Sequence, residues 1–221
     1  MRTTLLLAAA AFLTASTTLA NREVVHEFRS SAPAGAVRTV VIDVPVAEMV
    51  IRNGNSSTIS VEGDARREYD DKGERESRQR SVDDASVDLE VRGAVAQIKR
   101  KFGPQAGGWG SSHIKFTVTV ELPAGVNIDV RQKIGELRVD GSYGKIDVAM
   151  KIGEVRLRTP RANVRELSAS TTVGEVHADT GDRSLAREGI FAGATRWRNE
   201  SGKSSVTIEL SIGEIHVQLT R

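Results

Sequence analysis

The chain has no cysteine among its 221 residues, and only 4% of its residues are aromatic. The lack of cysteine excludes disulfide bonds, thiolate metal sites and a lipid-modified cysteine. With so few aromatic rings, any core must be built mainly from aliphatic side chains. The 31 basic residues nearly balance the 29 acidic ones, so the concentrated basic face that nucleic-acid binding requires is also missing.

Long hydrophobic runs are scarce as well. The longest, Leu5 to Leu13, has nine residues, whereas a transmembrane helix needs about 20. Arg2 precedes this run and the small residues that end at Ala20 follow it, which is the pattern of a secretory signal peptide. We therefore predict a signal peptide at 1–20 and a single β-repeat domain at 21–221. The protein is expected to be exported to the bacterial periplasm, the exterior or the cell surface, without a transmembrane segment.

The second half of the chain repeats a short phrase centred on Ile-Gly-Glu or Val-Gly-Glu. From glycine to glycine, the spacings are 18, 21, 19 and 20 residues. Near-constant spacing over five copies is the signature of a repeat architecture. The glycines of the phrase are Gly135, Gly153, Gly174, Gly193 and Gly213, the fourth in the degenerate copy Phe191-Ala-Gly-Ala-Thr-Arg-Trp.

Apolar residues alternate with polar ones before each glycine, as in Val126, Ile128 and Val130. This period of two predicts strands. After the glycine the phase moves by one, to Leu137 and Val139. A phase change would turn apolar side chains to the wrong face unless the chain bends there, and glycine permits such a bend. Each repeat therefore predicts two short strands joined by a glycine corner.

Stacked in register, such two-strand units would bury a continuous interior. We predict an all-β fold, a β-solenoid or β-helix-like stack of coils of about 20 residues, with five regular repeats at 122–221. Each coil is expected to add one strand to each of two sheets. Trp197 would face inward beside Ala192, and its large ring would fill the space that the small alanine side chain leaves. The predicted interior includes a column of Ile134, Ile152, Val173, Ala192 and Ile212.

The first half, 21–121, follows the same pattern less regularly. Val40 to Ile51 predicts a strand, a corner without glycine and a second strand. Further strands are expected at Thr58 to Val61, Val82 to Val91, Ala94 to Lys101 and Ile114 to Leu122. A charged insertion at 64–80 predicts a solvated loop or a short exposed helix, and a glycine-rich loop at 102–112 displays Trp109.

The segment Leu122-Pro-Ala-Gly-Val-Asn-Ile-Asp-Val130, followed by the repeated Ile/Val-Gly-Glu phrases, resembles the bacterial putative-adhesin family. The likeness also includes Val40 to Glu62 and spans nearly all of the chain after the signal segment. Family members commonly have Ser-Gly-Asp/Glu where this chain has Ile-Gly-Glu or Val-Gly-Glu. The resemblance implies an exported β-strand-repeat protein and carries over no catalytic residue.

A charged surface is predicted just after the corners. Stacked glutamates about 4.8 Å apart repel by roughly 0.9 kcal/mol per neighbouring pair even in water, so a parallel column of basic side chains is needed. The column is either an ion-pair ladder that keeps the sheet in register or a face that binds a polymer or a divalent cation. The candidate binding face comprises Glu136, Arg138, Glu154, Arg156, Glu175, His177, Arg196, Glu214 and His216, with Ala194 interrupting the glutamates.

No other set of residues predicts a catalytic or metal site, and no cofactor is expected. His177 and His216 are predicted to lie about 10 Å apart, on coils separated by an intervening one, which is too far for a shared zinc ion. His113 is predicted to be an ordinary strand-edge residue. Asp129 and Asp147 are predicted to be neighbouring solvated carboxylates. Trp109 is a candidate loop anchor for a partner, or it packs over an apolar strand end.

Three functions remain open at this level. The first is a non-catalytic structural or adhesive module that presents a repetitive sheet face to a cell-envelope polymer or protein. The second is a self-assembling envelope scaffold, because a final strand Val206 to Leu219 at the end of the stack would leave an edge for a homo-oligomer. The third is a carbohydrate-active β-helix enzyme that uses Asp129 and Asp147, although the large loops that form such clefts are absent.

Overall fold

A computed structural model describes residues 23–69, 74–102, 114–181, 184–187 and 193–221. Within these residues the fold is all-β, as predicted, with thirteen strands in one mixed sheet that does not close. The predicted signal peptide and most of the predicted glycine-rich loop lie outside the described residues. No helix in the described part is long and apolar enough to span a membrane. The elements are β1 Glu23–Pro33, β2 Thr39–Asp43, β3 Val46–Asn53, β4 Thr58–Glu68, α1 Arg75–Asp83, β5 Ala85–Arg92, β6 Val95–Phe102, β7 Lys115–Leu122, β8 Asn127–Asp140, β9 Lys145–Pro160, β10 Val164–Asp179, β11 Ser184–Arg187, β12 Gly193–Arg198 and β13 Ser204–Thr220.

Four long parallel strands, β8, β9, β13 and β10, form the centre of the sheet. Each runs through one glycine of the repeat phrase, and these glycines are aligned in register: Gly135, Gly153, Gly213 and Gly174. Their φ angles lie between +130° and +141°, where side chains other than hydrogen are disfavoured. We call the part of each strand before the glycine its first arm and the part after it its second arm.

The spatial order of these strands differs from their order along the chain. The last strand, β13, lies between β9 and β10 and pairs with both. The prediction that it would form an open edge was therefore wrong. After β10 the chain turns back, and β11 and β12 pair with β10 in antiparallel fashion. β11 and β12 cover one edge of β10. β13 therefore pairs with the other edge of β10, in parallel, and its second edge pairs with β9.

The degenerate fourth copy of the phrase is thus not a coil. Gly193 begins β12, opposite Thr171, and makes no corner. Trp197 pairs with Leu167 and is 8% exposed, so its inward direction agrees with the sequence. Ala192 lies outside the described residues. The regular parallel arrangement consists of four glycine-containing strands, and the degenerate copy supplies an antiparallel strand instead.

The first half of the chain extends the same two-armed arrangement. As predicted, Val40 to Ile51 forms strand, corner and strand, and β2 and β3 pair with the first and second arms of β8. On their other side lie β6 and β7, also parallel. Antiparallel strands complete this end: β5 pairs with β6, β4 with β7, and β1 with β4. The antiparallel strands at both ends enclose the parallel centre.

Two details of this half differ from the sequence prediction. Asp64 to Glu68 of the charged insertion continue strand β4, paired with β7 and β1. Helix α1 begins at Arg75 and includes Val82, which was expected to start a strand. Val82 is fully buried, because the helix covers the sheet with this residue while its charged residues face solvent.

The buried sides of both arms belong to one aliphatic core. In β8 the buried residues are Ile128, Val130 and Gln132, and then Leu137 and Val139. The alternation of buried and exposed residues therefore shifts by one position between residues 132 and 137. As a result, the two residues before the glycine, Lys133 and Ile134, both point outward. The predicted interior column is wrong for this reason: Ile134, Ile152, Val173 and Ile212 are 42–49% exposed, on the outside of the corner.

Tyr143, in the turn between β8 and β9, is expected to make the stability of this core decrease at alkaline pH. Its ring is buried and its hydroxyl donates to the Asp140 carbonyl oxygen at 3.3 Å. Burial, with the Asp140 carboxylate nearby, raises the pKa of Tyr143 above its usual value of 10.0. Above about pH 10, only the unfolded chain releases this proton, so the free energy of unfolding should fall by up to about 1.4 kcal/mol per pH unit. Urea denaturation should show that Tyr143→Phe loses this slope and Tyr69→Phe keeps it; equal slopes in the two variants would contradict the assignment.

Candidate functional site

The outward side of the second arms carries an unbroken column of glutamates. Each glutamate follows a corner and pairs in register with the next strand. Sequence reasoning missed the first of them, although Ala47-Glu48-Met49-Val50-Ile51 aligns with Gly135-Glu136-Leu137-Arg138-Val139. In spatial order the glutamate column is Glu48 on β3, Glu136 on β8, Glu154 on β9, Glu214 on β13 and Glu175 on β10. Because Ala194 lies on β12, it does not interrupt this column.

A second column lies two residues further along the same strands. In spatial order this basic column is Arg138, Arg156, His216 and His177. Arg196 is not part of it, because β12 places it opposite Ser168 in the first arm of β10. The basic column therefore changes from guanidinium to imidazole across the face, with both imidazoles on the last two parallel strands.

Ion pairs within single strands connect the two columns. Arg156 Nε lies 2.6 Å from Glu154 Oε1, and Arg156 Nη2 lies 2.8 Å from Glu154 Oε2. His177 Nε2 lies 2.9 Å from Glu175 Oε2. Arg138 differs, since its Nε pairs with Asp140 at 2.6 Å and not with Glu136. Exposed pairs of this kind contribute about 0–1 kcal/mol each, so they offset the repulsion within the glutamate column and add little stability beyond that.

The two histidines of this face are in contact, contrary to the predicted separation. Their ring centroids are 5.2 Å apart and their planes differ by 11°, so the rings of His177 and His216 stack. The prediction failed because it assumed that the coils stack in chain order. The insertion of β13 beside β10 makes two residues that are 39 positions apart in the chain direct neighbours.

His216 also faces two carboxylates from neighbouring strands. Its Nε2 is 3.2 Å from Glu214 Oε2 on the same strand and 3.5 Å from Glu154 Oε1 on β9. One donor atom from each of these three residues lies within 4.8 Å of the others. Beside this cluster a shallow depression of about 400 Å³ is lined by residues that include Arg158, Asp179 and both histidines. Groups that could hold a small cation are thus brought together within the face, where β9 and β13 are neighbours.

A column of exposed aliphatic side chains runs beside the glutamate column. It consists of Ile134, Ile152, Ile212 and Val173, which occupy neighbouring strands in that order. These side chains are among the five large hydrophobic residues with high exposure in the described part of the chain. Contiguous apolar surface of this kind usually marks an interaction site. We call the glutamate, basic and aliphatic columns together the outer face.

Asp129 and Asp147 are neighbours across β8 and β9, as predicted. Each forms an ion pair within its own strand: Asp129 with Arg131 at 3.0 Å and Asp147 with Lys145 at 3.0 Å. Arg131 also lies 3.9 Å from Asp147. Two cations therefore neutralise the two carboxylates. Trp109 and His113 lie outside the described residues, so their roles stay predictions.

No protein-family model matches the chain, and no curated protein matches it in sequence. Solved structures do show similarity. A putative cell adhesion protein from Clostridium sporogenes has 13% identity and a TM-score of 0.47, covering 89% of this chain and all of that one. A putative adhesin from Parabacteroides merdae has 12% identity and a TM-score of 0.26, covering 61% of this chain and 58% of that one. One from Parabacteroides distasonis has 12% identity and a TM-score of 0.24, covering 61% and 53%. The chain is thus similar to bacterial proteins described as putative adhesins, the family that its repeat phrases resemble.

Proposed function

We propose that the protein is an exported, non-catalytic adhesive module that binds a cell-envelope polymer or protein through its outer face. The observation that carries this proposal is the aliphatic column, in which four side chains on neighbouring strands are 42–49% exposed. Four exposed aliphatic side chains in one contiguous line, unlike the isolated exposed Val25, are the kind of apolar surface that often marks a binding site. The signal segment and the strand-repeat fold support export.

The outer face suits an extended partner. Its strands repeat about every 4.8 Å, and each repeat presents one aliphatic, one acidic and, in most strands, one basic side chain. Covering the exposed part of each aliphatic residue contributes about 1 kcal/mol. Four such contacts in one line, flanked by charges that set register, give a moderate affinity that increases with the length of the partner.

The proposal of a non-catalytic role is supported by the state of the acidic residues. Asp129 and Asp147 are each paired with a cation on their own strand, whereas hydrolysis of a polysaccharide needs one carboxyl group free to donate a proton. Unaltered polysaccharides after long incubation with the protein would agree with this proposal, and the release of shortened products would contradict it.

Binding to cell-envelope fractions should depend on the outer face. We expect Ile134, Ile152 and Ile212 changed together to serine to weaken co-sedimentation with isolated envelopes by more than about tenfold, since the apolar contacts are lost. Changing Glu136, Glu154, Glu175 and Glu214 to lysine should also abolish binding, by charge reversal.

Two controls come from the same chain. Val25→Ser removes an aliphatic side chain that is 43% exposed on β1, away from the outer face. Glu209→Lys reverses an exposed charge on the first arm of β13. Both variants should bind like the unchanged protein. Equal binding by all variants, or no binding by the unchanged protein, would contradict the proposed function.

A further inference from the structure

We propose that Glu154, Glu214 and His216 form a binding site for a divalent transition-metal ion of the zinc type. The three residues come from two neighbouring strands, β9 and β13, and their donor atoms converge on one point of the outer face. The site shares its three residues with the outer face but requires none of the aliphatic column, so metal binding and adhesion can be tested separately.

Two of the three distances between the donor atoms fit tetrahedral coordination, and the two carboxylate oxygens lie within 4.8 Å of each other. A zinc ion with bonds of 2.0–2.2 Å to nitrogen and oxygen separates its ligand atoms by about 3.4 Å. His216 Nε2 lies 3.2 Å from Glu214 Oε2 and 3.5 Å from Glu154 Oε1. Only small shifts of exposed side chains are therefore needed, and at least one coordination position stays open to solvent or to a ligand.

The neighbouring charges favour a cation at this position of the face. The glutamate column continues on both sides, with Glu136 on one and Glu175 on the other. Within the described residues, Glu214 and Glu175 form ion pairs with histidine alone and not with arginine or lysine. Imidazole with carboxylate is a donor set that zinc accepts readily.

Arg156 is the main competitor of the metal ion for the Glu154 carboxylate, and the geometry lets the carboxylate bind both. Its Nε contacts Glu154 Oε1, the oxygen that faces His216, and its Nη2 contacts the other oxygen, Oε2, at 2.8 Å. A metal ion can take Oε1 while Arg156 retains Oε2. The guanidinium still repels the metal ion, so it lowers the affinity of the site without closing it.

His177 acts as a positioning residue. Its ring stacks on His216 from the β10 side, whereas Glu154 approaches from the β9 side. The stacked ring restricts the rotation of His216 and so keeps Nε2 directed towards the carboxylates. This arrangement exists only because β13 lies between β9 and β10.

Isothermal titration of the purified protein with zinc chloride, with cobalt absorption as a report of tetrahedral geometry, tests the site. We expect one zinc ion per chain. His216→Gln and Glu214→Gln should each weaken binding by more than about 100-fold, since loss of an outer-shell partner alone costs 10–100-fold. The matched controls are Glu209→Gln, on the first arm of β13 and outside the glutamate column, and His26→Gln, on β1; both should bind zinc normally. Circular dichroism must show that every variant is folded.

Two further variants separate the roles of the neighbours. Arg156→Met should raise zinc affinity by roughly tenfold, because a positive charge about 5 Å from the ion is removed. His177→Ala should lower affinity only a few-fold. No zinc binding by the unchanged protein, or unaltered binding by His216→Gln, overturns the proposal. Glu154→Gln should weaken zinc binding as Glu214→Gln does, and unaltered binding by Glu154→Gln overturns the three-residue site. Because the Ile134/Ile152/Ile212 variant should still bind zinc, failure of adhesion and failure of the metal site can be told apart.

Discussion

Replacing Gly153 by alanine is expected to lower the free energy of unfolding by about 4 kcal/mol, a large part of the stability of a typical domain. The φ angle of Gly153 is +141°, and a Cβ atom there would lie 1.8 Å from the carbonyl oxygen of Gly135. Neither the strained backbone nor the clash can be relieved by rotating a side chain. Because the contact is with the backbone of the adjacent strand, the separation of β8 and β9 would have to increase. Urea denaturation followed by circular dichroism measures the effect.

The matched control is Gly93→Ala, in the turn between β5 and β6. Its φ angle of +58° lies in the left-handed region, which alanine can adopt at a smaller cost than the φ of Gly153, and no atom lies within 4 Å of the added Cβ. We expect a loss of about 1 kcal/mol from backbone strain alone. If the two alanine variants were equally stable, the close stacking of the corner glycines would not be the reason for their presence.

A chain that ends at Lys203, without β13, is expected to lose cooperative unfolding altogether. β13 pairs with β9 on one side and β10 on the other along nearly its whole length. Its buried side chains, among them Val206, Ile208 and Ile215, belong to the central core. Removing it would expose the edges of β9 and β10. It would also separate the unit formed by β10, β11 and β12 from the rest of the sheet.

The control for this truncation is a chain that ends at Thr220 and so lacks only the exposed Arg221. It should unfold like the unchanged protein. A peptide of residues 204–221, added to the truncated chain, should restore a cooperative transition if the gap between β9 and β10 is preserved. A truncated chain that unfolded cooperatively at nearly the original urea concentration would show that β13 is dispensable and that the described strand order does not control stability.

Much of the local structure could be predicted from the sequence because it depends on near neighbours. Alternating apolar residues predicted strands in both halves, and the shift of phase at the Ile-Gly-Glu phrases predicted the corners. The direction of Ile134 and its equivalents could not be obtained this way. Because the shift in alternation spreads over residues 132 to 137, the sequence pattern allowed Ile134 to point either into the core or outward. The packing of Gln132 and Leu137 into the core is what turned the residues between them outward.

For the candidate site, the sequence supplied the side chains and the tertiary structure supplied their arrangement. The within-strand pairs Glu154–Arg156 and Glu214–His216 follow from a separation of two residues, which places both side chains on one side of a strand. The contact of His216 with Glu154 and with His177 depends on which strands are neighbours. The degenerate phrase around Gly193 gave a hint, because it lacks the glutamate, but it did not reveal that this segment runs antiparallel.

The sequence by itself determined an all-β chain, strands that bend at glycines, and charged residues that follow each bend, since these features depend on composition and on spacing along the chain. Only the tertiary structure decided that β13 lies between β9 and β10, that the aliphatic column faces outward, and that two histidines stack beside two carboxylates. The physical reason is that strand order is a choice among edges of similar hydrogen-bonding capacity. In this protein, β11 and β12 cover one edge of β10, and this determines where β13 pairs. The repeat sequence itself does not determine it.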